Sequence, residues 1–319
     1  MALKGQRMNA HAVVVEQPHL LQVRELALVE PTDNDLVVDI CWSGISTGTE
    51  KLLWSGRMPT FPGMGYPLVP GYESVGRVAQ AGCSTQYEIG EMVFVPGAAC
   101  FGEVRGLFGG AASRVVIPAL RALRISEDLG ERGTLLALAA TAYHAYSSPG
   151  AARPELIIGH GVLGRMIARL AVIAGGKPVV WETNPDRRGG AQGYDVIDPA
   201  DDKTSNYRNI CDVSGDPKVL DSLIARGAAG CEIVLAGFYD EPLSFSFAPA
   251  FLREAKIRVA AQWKPPELLA VRDLAESGRL SLDELITHRS TPDNADAAYR
   301  TAFSDSTCLK MILDWRRPQ

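Results

Sequence analysis

Apolar and polar positions follow two distinct textures along the chain. Up to about residue 120 the apolar positions come in short runs: Ala12–Glu16, Leu36–Trp42, Ser74–Ala79, Met92–Pro96 and Ser113–Pro118. Turn formers such as Pro31-Thr32-Asp33-Asn34-Asp35 and Pro96-Gly97 separate them, which predicts an irregular, mostly antiparallel β domain. Inside it, Leu52–Gly71 carries Trp54, Met58, Phe61, Met64 and Tyr66 among glycines and prolines. That stretch reads as too broken for a helix and too apolar for an idle surface loop.

After Leu129 the texture changes. An apolar helix is predicted over Thr134–Tyr146, and strands then alternate with helices. The strands read at Leu156–Ile158, Val179–Glu182, Val196–Asp198, Asn209–Val213, Glu232–Ala236 and Ile257–Ala261. Helices fit at Val162–Ala174 and Lys218–Arg226, and another at Glu267–Ser277 in the tail. Alternating β and α units predict a doubly wound parallel sheet with right-handed crossovers. The expected organisation is an α/β protein in two parts: residues 1–144 with 265–319, and a nucleotide-type domain over 145–264.

The chain has 319 residues, 46% of them hydrophobic, enough for two cores. Its 32 basic and 37 acidic side chains give a formal net charge of −5, and no Lys/Arg stripe tracks a phosphate backbone, so a nucleic-acid partner is not expected. No apolar run approaches the ~18 residues of a spanning helix; Val162–Ala174 is interrupted by Arg165 and Arg169. Residues Met1–Arg7 lack the apolar core of a secretory signal. The six cysteines are well separated, without a C-x-x-C pair, and read as small buried hydrophobes. A cytoplasmic protein is the expectation.

Gly159-His160-Gly161-Val162-Leu163-Gly164 follows an apolar strand and opens an amphipathic helix, the context a dinucleotide fingerprint requires. Gly159 allows the tight turn, Gly161 a close approach of the pyrophosphate, and Gly164 close helix–strand packing. The helix start, through Val162 and Leu163, offers backbone N–H groups to phosphates. Glu182 ends the next strand, where a carboxylate accepts from ribose hydroxyls and repels a 2′-phosphate, favouring NAD. Arg187 and Arg188 follow it and could greet that phosphate. Ser214 and Gly237 stand at later strand ends, bordering the same crevice.

The order of the two halves resembles the medium-chain dehydrogenase/reductase superfamily. Gly71-Tyr72-Glu73-Ser74-Val75-Gly76 is similar to its G-H-E-x-x-G, and Thr141-Ala142-Tyr143 to its T-A-Y/W, which places Thr141 beside the cofactor. The resemblance implies a GroES-like catalytic domain joined to a Rossmann domain. It also shows departures: the three zinc-ligand positions of that family read Ser46, Tyr72 and Ala137, and no structural-zinc cysteines are present. Hydroxyls and a methyl do not make a zinc site, so no metal is expected. More narrowly, Gly44–Glu50, Phe61–Glu73, Gly106–Ala112 and Leu285–Arg289 resemble the BchC-type dehydrogenases of bacteriochlorophyll synthesis, from about Met8 onward. These use NAD to oxidise a 1-hydroxyethyl group on a bacteriochlorophyllide to acetyl.

Taking a hydride from a secondary alcohol requires a group that receives the hydroxyl proton and steadies the oxygen. The candidates are Tyr72, foremost, then Ser46, Thr47, Glu73, Glu50, Lys51 and His144. Lys51 matches the place of a proton-relay His in zinc members. Glu50 and Glu73 read more readily as structural carboxylates, His144 as helix packing, and His160 as facing the crevice. Trp54, Met58, Phe61, Met64 and Tyr66 would offer a tetrapyrrole its flat apolar surface. A homodimer through the outermost sheet strands is expected. Two alternatives stand beside this: a zinc-free quinone or enoyl reductase, and a non-catalytic dinucleotide binder.

Overall fold

The computed structural model describes residues 8–147, 152–239, 241–260 and 262–316, and Met1–Arg7 lie outside them. The chain divides into two compact units, Met1–Leu136 with Ile286–Gln319, and Ala137–Leu285.

In the first unit, the described residues form two sheets. Leu20–Ala27, Asn9–Gln17, Leu68–Val69 and Arg105–Gly106 make one, in that order. The other is centred on Asp35–Ile45, which pairs antiparallel with Ser74–Ala81, Arg114–Pro118 and Met311–Asp314. Leu36, Val38, Ile40 and Ile45 point from this strand into the core. Pairing with Ser74–Ala81 ends at Ser43 opposite Ser74, and the Gly44 amide donates to the Glu73 carbonyl at 2.8 Å. Residues 46 and 72 therefore leave the sheet together at one end. The helix Ala295–Ser304 buries Ala295, Ala298, Tyr299 and Ala302, spaced i, i+3, i+4 and i+7, on the same core.

The second unit carries a six-stranded parallel sheet among the described residues. Its order is Asp195–Ile197, Val179–Trp181, Leu156–Ile158, Tyr207–Asp212, Gly227–Leu235, Lys256–Val259. Leu156, Ile157 and Ile158 are all buried, the continuous apolar run of a strand covered on both faces. The order reverses beside Leu156–Ile158, which makes its carboxyl end the switch point where ligands bind.

Three expectations change. The seams fall at 136/137 and 285/286, where the sequence suggested 144/145 and 264/265. The helix Pro265–Glu276 goes with the parallel sheet unit, because Glu267 bonds His144 at 2.9 Å and the Arg169 guanidinium donates to the carbonyls of Ser281 and Asp283. Leu52–Ser55, expected outside any helix, completes a short helix Thr49–Ser55 that Gly56 ends in the left-handed conformation. No described helix is long and apolar enough to cross a membrane.

Candidate active site

Where the paired strands of the first unit open, Ser46 Oγ and the Tyr72 hydroxyl share a hydrogen bond of 2.7 Å. Ser46 is buried and Tyr72 half-buried. Burial, and then the charge of Glu73, push the Tyr72 phenol well above its ordinary range, against the pull of the Ser46 and Thr49 hydroxyls. Tyr72 therefore keeps its proton at neutral pH and is not a phenolate there.

Beneath this pair lies a cluster of buried charge. Glu50 accepts from the Ser46 amide at 3.2 Å and from the Tyr299 hydroxyl at 2.7 Å. Burial raises its carboxyl to about 7. Glu73 is fully buried and pairs with Lys310, whose Nζ also donates to the Ile45 carbonyl at 3.1 Å. A Cβ at Gly44 would fall 2.3 Å from the Glu73 carboxylate, so only glycine leaves room for this pair. Tyr299 and Lys310 reach the site from 249 and 265 residues away. No local pattern marked them.

Other expected residues stand elsewhere. Lys51 lies on the exposed side of the helix Thr49–Ser55 and donates to the Phe303 carbonyl at 3.1 Å, because the helix that turns Glu50 inward turns its neighbour out. It is not poised as a relay beside Tyr72. Thr47 is exposed. Trp54 packs edge-on to His19 with ring centroids 4.4 Å apart and beside Phe303, with the Arg300 guanidinium over it. The Tyr66 hydroxyl donates to the Leu53 carbonyl. Trp54, Met58, Met64 and Tyr66 rest half-buried on the core, and Phe61 is half-buried as well. This loop is thus folded onto its unit while leaving apolar surface in water.

In the second unit, Gly159–Gly164 makes the turn into the helix Val162–Ile173. A Cβ at Gly164 would come 1.9 Å from the Gly159 carbonyl oxygen, so helix and strand touch backbone to backbone. At Gly161 a Cβ would meet nothing within 4 Å, and no side chain caps the helix. Open space in front of uncapped N–H groups fits a pyrophosphate. The Glu182 carboxylate accepts from the amides of His160 at 3.0 Å and Asn184 at 2.8 Å. Gly159 packs against Ser214, and Gly237 against Val213, at the adjoining strand ends. The Gly237 amide donates to the Asp212 carbonyl, and Tyr239, which no sequence pattern marks, donates to the buried Asp212 carboxylate at 2.6 Å.

Thr141 spends its hydroxyl on the Ala137 carbonyl one helical turn back, at 2.9 Å. His160 does not face the crevice. Its Nδ1 lies 2.6 Å from the Arg187 carbonyl, which can only accept, so Nδ1 carries the proton and Nε2 accepts from Tyr194 at 2.8 Å. Burial lowers its pKa to about 4, and the ring stays neutral.

The donors present do not suit zinc. Ser46 and Tyr72 offer hydroxyls, whereas zinc takes thiolate, imidazole or carboxylate. Among the described residues, no group of three or more His, Cys, Asp or Glu is placed to hold a metal ion.

Comparison with known proteins agrees with this two-part build. Residues 32–127 match the alcohol dehydrogenase GroES-like domain. The chain is 56% identical over 315 residues to a 2-desacetyl-2-hydroxyethyl bacteriochlorophyllide A dehydrogenase of Cereibacter sphaeroides, covering 97% of this chain and 99% of that one. It is 55% identical to the protein of that name from Rhodobacter capsulatus, at the same coverage. Among solved structures, a short-chain alcohol dehydrogenase of Escherichia coli CFT073 complexed with NADH aligns at a TM-score of 0.82 and 20% identity, over 96% of this chain and 99% of that one. The fold is that of the medium-chain dehydrogenases, a GroES-like domain with a Rossmann-type sheet suited to a dinucleotide. Identity above one half along nearly the whole length goes further than fold, and this chain belongs to the 2-desacetyl-2-hydroxyethyl bacteriochlorophyllide dehydrogenase family, oxidoreductases acting on a CH–OH group.

Proposed function

We propose that this chain oxidises the 1-hydroxyethyl group on ring A of a bacteriochlorophyllide to an acetyl group, with NAD as acceptor and without a catalytic metal. The observation that carries the reading is the Ser46–Tyr72 pair, two hydroxyls 2.7 Å apart where zinc relatives would set metal ligands. The carbinol carbon loses a hydride with its bonding pair, the O–H proton departs, and the C–O bond becomes C=O. When bound, NAD supplies the hydride acceptor. The substrate hydroxyl passes its proton to the Ser46–Tyr72 pair, which in relay gives up one of its own to the Glu50 carboxylate, and Tyr72, kept protonated by burial, steadies the oxygen. Glu50, raised to about 7 beside Ser46, is a group able to take up a proton near neutrality. The conjugated macrocycle next to the carbinol spreads the developing positive charge. It thereby lowers the need for a Lewis acid.

Two features support NAD over NADP. Glu182 stands at the end of Val179–Trp181 with lone pairs to spare for ribose hydroxyls. Arg188 is spent on the carbonyls of Glu182 and Thr183 and on Asp198, so it is not aimed at a 2′-phosphate. A homodimer is supported by the edge strand Lys256–Val259, where Ile257 and Val259 are exposed alongside Phe247, Phe251 and Leu252 of the preceding helix. Incubation with hydroxyethyl bacteriochlorophyllide a and either dinucleotide tests the whole reading. Mass spectrometry should find a pigment lighter by two hydrogens with NAD; an unchanged pigment with both would refute it.

A further inference from the structure

The hydroxyl pair accounts for the reacting oxygen but not for the ring system that carries it. Phe108 lies beside that pair. Its ring meets Tyr72 edge-on, with centroids 5.6 Å apart and planes at 90°, and the residue is 41% exposed. A single exposed aromatic is ordinary; what sets this one apart is the rigidity of its backbone and its neighbour. The amides of Leu107 and Gly109 both donate to the Val69 carbonyl, at 2.8 and 2.9 Å, and the Phe108 carbonyl accepts from Ala98 at 2.8 Å. Gly97 and Gly109 hold positive φ angles, and a Cβ at either would strike backbone: the Phe108 oxygen at 2.2 Å or the Ala98 oxygen at 1.8 Å. Two chain segments thus cross with no side chain between them, and Phe108 is presented from a fixed backbone.

The same segment continues to the apolar loop. Arg105–Gly106 pairs in parallel with Leu68–Val69, and the Arg105 guanidinium lies 3.1 Å from where a Gly65 Cβ would stand. Phe108 therefore stands on the segment that runs from the Met58–Tyr66 region to the Tyr72 hydroxyl.

We propose that Phe108 is a specificity-determining residue, the aromatic platform for the flat macrocycle whose hydroxyethyl arm reaches Tyr72. This rests on the reading of a bacteriochlorophyllide as substrate. The glycines of the Gly106–Ala112 motif then serve to fix the platform, and its one aromatic residue is the platform.

Steady-state kinetics of Phe108→Ala and Phe108→Trp with hydroxyethyl bacteriochlorophyllide a and NAD test this. Phe108→Ala should raise the pigment KM at least about tenfold, the scale of lost stacking and burial. Its kcat should stay within a few fold, its KM for NAD should be unchanged, and Phe108→Trp should restore most of the pigment affinity. Phe108→Leu, which keeps apolar bulk, serves if the alanine variant does not fold, with a raised KM again expected. An active wild type whose pigment KM is the same in all three variants overturns the platform alone. A wild type that leaves the pigment unoxidised overturns the substrate reading and the platform with it.

Discussion

Lys310 and Glu73 form an ion pair with side chains 2% and 0% exposed, and it joins the two segments that carry the site's hydroxyls. Glu73 follows Tyr72, and Lys310 also holds the carbonyl of Ile45, which precedes Ser46. One lysine near the C-terminus thus keeps Ser46 and Tyr72 in register. Breaking such a pair from one side leaves a buried charge unmatched. Lys310→Met should cost about 3–5 kcal/mol, and Lys310→Met with Glu73→Leu should recover most of it. Urea denaturation of the three proteins checks this; a single variant as stable as wild type would mean the pair positions nothing.

Tyr72→Phe removes one hydroxyl and leaves the ring against Phe108. It should lower kcat by about 10–100-fold while KM for NAD stays unchanged, because help to the oxygen acts mainly in the transition state. Full activity would pass the role to Ser46.

Glu182→Ala should weaken NAD binding by about 1–3 kcal/mol, the scale of lost charged hydrogen bonds. Part of that loss would come from the glycine turn, since Glu182 also holds the His160 amide. Calorimetry with NAD and NADP reads it directly, and equal affinity of the unaltered protein for both would contradict the ribose role.

Glu50 gives the fold a pH dependence of definite sign. Burial, with the charge of Glu73 adding to it, lifts its carboxyl from 4.5 to about 7 despite the opposing Tyr299 hydroxyl and Lys310. The folded protein therefore binds this proton more tightly than the unfolded chain. The stability so gained is complete below the unfolded value of 4.5 and is lost as pH rises through about 7. The swing is of order 3 kcal/mol. Glu50→Gln stays neutral, so its stability relative to wild type should improve between about pH 5 and pH 8, as read from urea midpoints. A constant difference would show that Glu50 does not titrate in this range.

The parallel sheet was legible because strands covered on both faces are unbroken apolar runs, as Leu156–Ile158 is, and because the glycine turn follows at once. Leu20–Ala27 was not legible: it lies at a sheet edge, and Gln22, Arg24 and Glu25 break the apolar pattern. The seven-residue helix Thr49–Ser55 is too short for its periodicity to register, and with it went the true direction of Lys51. His160 was placed wrongly because its orientation depends on Tyr194, 34 residues later. The Ser46–Tyr72 pair was foreseeable from motif positions. The charges beneath it were not, since Tyr299 and Lys310 are brought in by tertiary packing alone.

The Ser46–Tyr72 pair is proposed to serve oxidation of the hydroxyethyl group by hydroxyl-bearing side chains without a metal. The most direct measurement is turnover of hydroxyethyl bacteriochlorophyllide a with NAD by protein exhaustively treated with a chelator, reduced nicotinamide and acetyl pigment being followed together. Undiminished, equimolar formation of both, with less than one zinc per chain by elemental analysis, is the predicted result. Turnover that chelation abolishes and added zinc restores would contradict it.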